Sequence, residues 1–250
     1  MIGRLLRKGI LGAIVLSLCF MAQPAKAQGW DYDAGLYLFA LGMDGTMVAQ
    51  GEESDVDIGF SDILEDLEMA ASLHVDANKR GSNWGWIFDA FYASLGQNLE
   101  EPPGEYDMNQ VYLEGAGTYN LGENFELLAG LRYITMDLTL DLQPPVPPAP
   151  GQRIEGDQSW TDLMIGGRYS TSAGKRFRFW ARGDVGGFGM SNSSTLAWNV
   201  VLMGQLKVSK RVGLLLGYRW LDIDYENTDD LFVFDILQSG PMLAISYSFH

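Results

Sequence analysis

Apolar and polar side chains alternate with a period of two along most of the chain beyond residue 28. Val212, Leu214, Leu216, Tyr218 and Trp220 alternate with Gly213, Leu215, Gly217, Arg219 and Leu221. Leu196, Trp198, Val200, Leu202 and Leu206 alternate with Ala197, Asn199, Met203, Gln205 and Lys207. Phe177, Phe179, Ala181 and Val185 alternate with Arg176, Arg178, Trp180, Arg182 and Asp184. Successive side chains of a strand point to opposite faces, so each stretch has one apolar and one mixed-polar face. Ten such segments are predicted, near 30–42, 69–79, 84–97, 109–121, 125–141, 158–170, 176–189, 195–208, 212–225 and 238–249. No long amphipathic helix and no apolar run of membrane-spanning length follows residue 28.

The connections alternate between two kinds. Lys79-Arg80-Gly81-Ser82-Asn83, Gly122-Glu123-Asn124, Ser172-Ala173-Gly174-Lys175 and Ser209-Lys210-Arg211 are tight turns. Residues 43–68, 98–108, 142–157, 190–194 and 226–237 form a set of mostly longer loops. Short turns at one rim and long loops at the other predict an all-β, up-and-down antiparallel barrel of ten strands, with eight as the fallback. An even count returns both termini to the short-turn rim. Proline cannot donate to a β-ladder, and its placement fits. Pro102 and Pro103 fall in the second long loop, five prolines fall in 143–151, and Pro241 stands at the start of the last segment. The 143–151 stretch reads as an extended, polyproline-like loop.

Alternation alone does not separate a membrane barrel from a soluble one, whose apolar face points inward. Composition and charge change the picture. Arg4, Arg7 and Lys8, an apolar stretch from Ile10 to Met21, and Ala25-Lys26-Ala27 make the three-part plan of a secretory signal peptide. Its apolar core is shorter than the roughly 18–20 residues of a spanning helix. Cleavage is predicted after Ala27, leaving 28–250 as the barrel domain. Leu18 stands before Cys19 where a lipidation site would need a small residue. Cys19 is the sole cysteine, so the exported part is held without disulfides. The chain has 17 basic and 32 acidic residues, and Arg4, Arg7, Lys8 and Lys26 leave with the signal. Such acidity argues against a nucleic-acid partner.

The mixed faces carry mid-strand charges of both signs: Asp76, Asp89, Glu114, Arg132, Asp162, Arg168, Arg178, Arg182, Lys207 and Arg219. They are expected to form a polar network across a lumen. Tyrosine and tryptophan gather near segment ends on the apolar phase, among them Trp84, Trp86, Tyr119, Tyr133, Tyr169, Tyr218 and Trp220. Amphipathic rings suit a membrane–water interface. The chain ends Leu243-Ala244-Ile245-Ser246-Tyr247-Ser248-Phe249-His250. This resembles the terminal strand by which outer-membrane barrels are recognised for assembly, with His250 a slight departure. With Gly35-Leu36-Tyr37-Leu38-Phe39-Ala40, Phe60-Ser61-Asp62-Ile63-Leu64-Glu65-Asp66-Leu67, Gly217-Tyr218-Arg219-Trp220-Leu221-Asp222 and Ser239-Gly240-Pro241-Met242-Leu243, the chain resembles small outer-membrane β-barrel proteins of the OmpA/OmpW-like class. The resemblance implies a cell outer membrane location, with lipid, lipopolysaccharide and the outer-membrane assembly machinery as partners. It implies no enzyme activity, because the catalytic motifs of the class's enzymes are absent here, and no cofactor.

Residues 43–68 hold nine acids and no base, Glu52, Glu53, Asp55 and Asp57 among them. They are expected to form an acidic loop, either a lid over the barrel mouth or a loop folded on the rim. Ser61 or Asp62 would cap a short helix within it, with Ile63, Leu64 and Leu67 on one face. The run lacks the Asp-x-Asp-x-Asp-Gly spacing of a dedicated calcium loop. His74 stands two residues from Asp76 and two from Ser72, which invites comparison with a hydrolase triad. Three groups along one strand do not converge on a substrate atom, so His74 is read as part of the lumen network. The functional expectation is a structural or surface-interaction barrel with a filled or narrow polar lumen. The alternative is a narrow, weakly cation-preferring passive channel.

Overall fold

The computed structural model describes residues 29–49, 51–59, 67–99, 104–142 and 152–249. The predicted signal peptide, the acids and apolar residues at 60–66 and the proline-rich stretch 143–151 lie outside the described residues. The alternating segments form twelve strands: β1 (Trp30–Phe39), β2 (Gly42–Ala49), β3 (Glu52–Ile58), β4 (Leu67–Lys79), β5 (Trp84–Leu99), β6 (Gly104–Asn120), β7 (Phe125–Leu142), β8 (Gln152–Ala173), β9 (Phe177–Gly187), β10 (Leu196–Lys207), β11 (Val212–Asn227) and β12 (Phe232–Phe249). β1 and β4 to β12 make a closed ten-strand antiparallel barrel. β12 returns to pair with β1 from Tyr32↔Phe249 to Phe39↔Met242.

β2 and β3 are the departure from a plain ten-strand plan. They form a hairpin that continues the wall rather than a loop over the mouth. β2 pairs with the first half of β12, from Val233↔Val48 to Ser239↔Gly42, and β3 pairs with β2. β12 therefore changes partner midway, from β2 to β1, and one register continues across Ala40 and Leu41, which lie between the two strands. Pro241 sits inside β12 at this point, not at its start, and stands opposite Ala40. Its carbonyl accepts from the Ala40 N–H at 3.0 Å. The neighbouring Gly240 has no alternative, since a Cβ there would overlap the Ala40 carbonyl oxygen.

The strands also run further into the long-loop side than the apolar pattern predicts. β8 starts at Gln152, β6 at Gly104 and β12 at Phe232, and β11 continues to Asn227. The reason lies in the outward phase. On β11, Leu214 and Leu216 are exposed, Leu216 at 67%, and Tyr218 and Trp220 follow. Val212 to Trp220 spans about 27 Å of strand, or about 20 Å along the axis at a typical tilt, close to the height of a barrel's apolar band. Beyond it the same outward phase continues with Asp222, Asp224 and Glu226. Ladder pairing ignores this change of polarity, so the strands continue above the band.

The inward phase changes in the opposite sense. Arg219 gives way to Leu221, Ile223 and Tyr225, all nearly inaccessible to solvent. On β12 the inward residues above the band are Phe232, Phe234 and Ile236. With Trp160, Ile134, Met136, Tyr112, Phe91 and Met43 they form one apolar core inside the upper barrel. Trp160 stacks on Tyr225 with ring centroids 4.1 Å apart and lies 6.1 Å from the ring of Phe234.

Candidate functional site

All ten charged residues singled out from the sequence stand on the inward phase, in the membrane-embedded part of the barrel or at its upper boundary. The structure brings most of them together in three groups. The central one is a closed ring of alternating charge. Arg132 on β7 reaches Glu114 on β6 at 2.9 Å and Asp184 on β9 at 2.6 Å. Arg182 on β9 reaches the same Glu114 at 2.6 Å and the same Asp184 at 2.9 Å. Two cations and two anions alternate, and their side chains are almost wholly withdrawn from solvent. Withdrawing such ions from water costs several kcal/mol each, and only near-complete mutual pairing offsets it. Asn199 extends the ring by donating to Asp184 at 2.8 Å and accepting from Arg219 Nε at 2.8 Å.

The second group is Arg168 on β8, which bridges Asp76 on β4 and Glu126 on β7, the latter at 2.6 Å. The third is Asp89 on β5, held by His74 Nδ1 at 2.9 Å and by the Tyr37 hydroxyl at 2.6 Å. His74 thus pairs across the strand with Asp89 and not along it with Asp76. Ser72 exchanges hydrogen bonds with the backbone of Tyr37 instead of with His74. Ser72, His74 and Asp76 form no chain. Asp162 forms no ion pair among the described residues. It accepts from the Ser194 N–H at 2.7 Å and the Ser194 hydroxyl at 2.9 Å, tying the β9–β10 connection to the wall.

Glu126, Asp184, Asn199 and Tyr37 complete these groups without having been named with them. Asp184 and Asn199 do lie on inward positions of the alternations quoted for β9 and β10, so the phase was a usable signal for both. Some of the partners follow from cross-strand register: Glu114↔Arg132, Glu126↔Arg168, His74↔Asp89 and Asp184↔Asn199 are each directly opposed on neighbouring strands, whereas Asp162, opposite Arg132, bonds Ser194 instead.

Above the charged ring the lumen is filled by the apolar core. Tyr112 donates to Gln238 at 2.7 Å, and Gln238 donates to Gln110 at 3.2 Å, which links polar groups at the transition. Below the ring lies a cavity of about 290 Å³ that extends to Lys207 and Ser248 at the short-turn rim. The lumen is therefore a polar vestibule under an ionic layer and an apolar plug.

The four loop acids take another place than expected. Glu52, Glu53, Asp55 and Asp57 belong to β3. Asp57 opposes Asp44, Asp55 opposes Thr46, and Thr46 in turn opposes Asp235, which opposes Asp224. Directly opposed residues share a face, so Glu53, Asp55 and Asp57 continue the outward acidic surface of β11, β12 and β2 and point away from the lumen. Asp222 and Asp224, above the apolar band, titrate above the usual carboxylate range. Partial burial is the first cause for both, followed by repulsion from Asp235, and from Asp224 and Glu226 respectively.

No protein-family model and no curated protein sequence matches the chain. Among solved structures, it is similar to the translocator domain of the autotransporter NalP from Neisseria meningitidis, at 10% identity and a TM-score of 0.48 over 97% of this chain and 96% of that one. It is also similar to Ail, the attachment invasion locus protein of Yersinia pestis, at 10% identity and a TM-score of 0.39 over 88% and 99%. A Pseudomonas aeruginosa FadL homologue aligns at 8% identity and a TM-score of 0.38 over 88% and 89%. At these identities the likeness is one of general architecture. The transmembrane barrel is established by closure of β12 on β1 and by the lipid-facing apolar band.

Proposed function

We propose that the protein is an integral outer-membrane β-barrel without enzymatic activity, closed to ion flow, whose role is exercised by the part that rises above the membrane. One observation carries this reading: the upper lumen is occupied by the apolar core of Trp160, Tyr225, Phe234 and Ile236, above the closed charged ring. Water and ions do not cross an apolar constriction packed to this degree. The emergent wall, extended by β2 and β3, presents an acidic outer face suited to contact with other molecules at the cell surface. The C-terminal strand, with Leu243, Ile245, Tyr247 and Phe249 facing outward, is the part presented to lipid and to the assembly machinery.

The alternative is a narrow, weakly cation-preferring channel. It is supported by the polar cavity of the membrane half and requires the plug to move. Single-channel recording of purified protein in planar bilayers separates the two. The closed barrel gives no defined conductance steps. Steady steps in the parent protein would establish the channel. For the closed reading, Trp160→Ala and Phe234→Ala together should create conductance where the parent has none.

A further inference from the structure

Three cations of the vestibule have no carboxylate within ion-pair distance among the described residues: Arg178, Lys207 and Arg219. Arg178 reaches only the Ser170 hydroxyl, at 3.4 Å. Arg219 is 7% exposed, spends its Nε on Asn199, and sets its guanidinium over the Phe39 ring at 5.7 Å. All three line the cavity of about 290 Å³. The acids that line the same cavity are already engaged: Asp76 with Arg168, Glu114 with Arg132 and Arg182, Asp89 with His74 and Tyr37, and Asp33 with the Ser248 hydroxyl.

The register sets these cations in a graded series up one wall. Lys207 lies at the rim row with Gly213. Arg178 opposes Gln205 two residues further in, and Arg219 opposes Val201 four residues beyond that. At the rise of a strand these steps are roughly 7 and 14 Å. Asp76 acts on Arg178, and Asp89 and Glu114 act on Arg219, across the cavity and not by contact, so a bound anion would supply the direct pairing that these cations lack. Arginine forks match carboxylate and phosphate oxygens, and a lysine at the entrance serves as a point charge that draws an anion in.

We infer that the vestibule is a binding site, entered from the short-turn side, for a small soluble oxyanion with two or three charged groups, a tricarboxylate or a phosphorylated metabolite. Arg178 and Lys207, roughly 7 Å apart along the wall, favour a multivalent ligand over a single chloride, and Arg219, roughly 14 Å further in, lies beyond the reach of a compact one. The volume lies at the lower edge of small-molecule sites, which limits the ligand to a compact one. Entry from below needs no movement of the plug, so the site does not depend on whether the barrel conducts.

Isothermal titration of the full barrel in micelles with citrate, and separately with pyrophosphate, tests this. Saturable binding of one ligand per barrel is expected, weakened at least tenfold in Arg178→Gln/Lys207→Gln and weakened also by added salt. Lys210→Gln, in a turn outside the cavity, should leave it unchanged. Lys207→Gln alone alters an exposed side chain with no ion pair, so it keeps the test valid should the double variant fail to fold. Its own expected effect is about threefold. Absence of saturable binding of both probes overturns the inference, as does binding that survives both cavity variants or is lost equally in Lys210→Gln.

Discussion

On β11, Leu214 and Leu216 face lipid, and a few positions later on the same phase Asp222 and Asp224 face water. Across the wall, Arg219 belongs to a charged lumen, and Leu221, Ile223 and Tyr225 belong to an apolar core. One strand, one unbroken alternation and one set of ladder bonds thus carry two opposite assignments of polarity. The membrane half is apolar outside and ionic inside. The emergent half is acidic outside and apolar inside, as in a water-soluble barrel. The difference shows that alternation encodes the strand, and that the solvent on each side decides which phase must be apolar. A barrel that leaves the bilayer without ending its strands has to exchange the two phases at the boundary, and here the exchange occurs at Trp220 and Asp222.

The strongest test of the lower half is Arg132→Ala. It leaves Glu114 and Asp184 facing each other beside a single arginine, and it should cost about 3–5 kcal/mol. Urea unfolding of the barrel in lipid vesicles measures it. A loss under about 1 kcal/mol would mean that the ring is solvated and the lower lumen open.

The equivalent test of the upper half is Trp160→Ala. Removing a fully buried indole that stacks on Tyr225 should cost about 3–4 kcal/mol. A neutral result would show that the emergent half has no tightly packed core, and the contrast between the halves would collapse to a difference of surface.

Outside the barrel the two halves should respond oppositely to the same chemistry. Leu216→Arg places a cation in the band and should destabilise by about 2–4 kcal/mol if near the midplane. Glu226→Arg, on the same phase above the band, should change stability by less than about 0.5 kcal/mol. Equal effects at the two sites would move the membrane boundary.

The smallest effect concerns the acids just above that boundary. Asp224 directly opposes Asp235. Asp224→Asn should raise stability at pH 7 by a few tenths of a kcal/mol, a value reduced by solvent screening. The folded-state pKa of Asp224 is raised, so proton binding favours the folded barrel. That contribution is fully present below the unfolded carboxylate value of about 4 and is lost as pH rises through the folded value. The advantage of the Asn variant over the parent should therefore fade as pH falls from 7 toward 4. An advantage independent of pH would remove charge repulsion as its cause.

The membrane half was legible in the sequence to a useful depth. Apolar outward positions such as Leu202, Leu214 and Leu216, the ten-strand count and the inward phase of Arg132, Arg168 and Arg219 all follow from alternation and turn length. The emergent half was not. Val233, Leu237 and Ile236 are all apolar, so β12 above Ser239 gives no clean alternation, and acids at 43–58 read equally well as a loop or as the outward phase of a hairpin. The pairs of the lumen were hidden for a different reason. His74 lies two residues from Asp76 and fifteen from Asp89, yet only the latter is its partner, because hairpin register sets which inward side chains meet. Local spacing along one strand carries no information about that register.

The succession of β1 and β2 along β12 has a consequence for how the molecule comes into being. The seam that closes the cylinder joins residues 32–48 to residues 233–249, so its bonds link the earliest part of the described chain to the last. Apart from β1 and β4, which the β2–β3 hairpin separates along the chain, every other strand pair is a hairpin that can form locally. Sealing, in contrast, waits until the final residues have arrived, and such long-range contacts are the slowest to form. Because β1 and β2 follow each other directly along one edge of β12, a single zippering motion can shut the wall of both halves, with Gly240 and Pro241 marking where it passes from the bilayer into water.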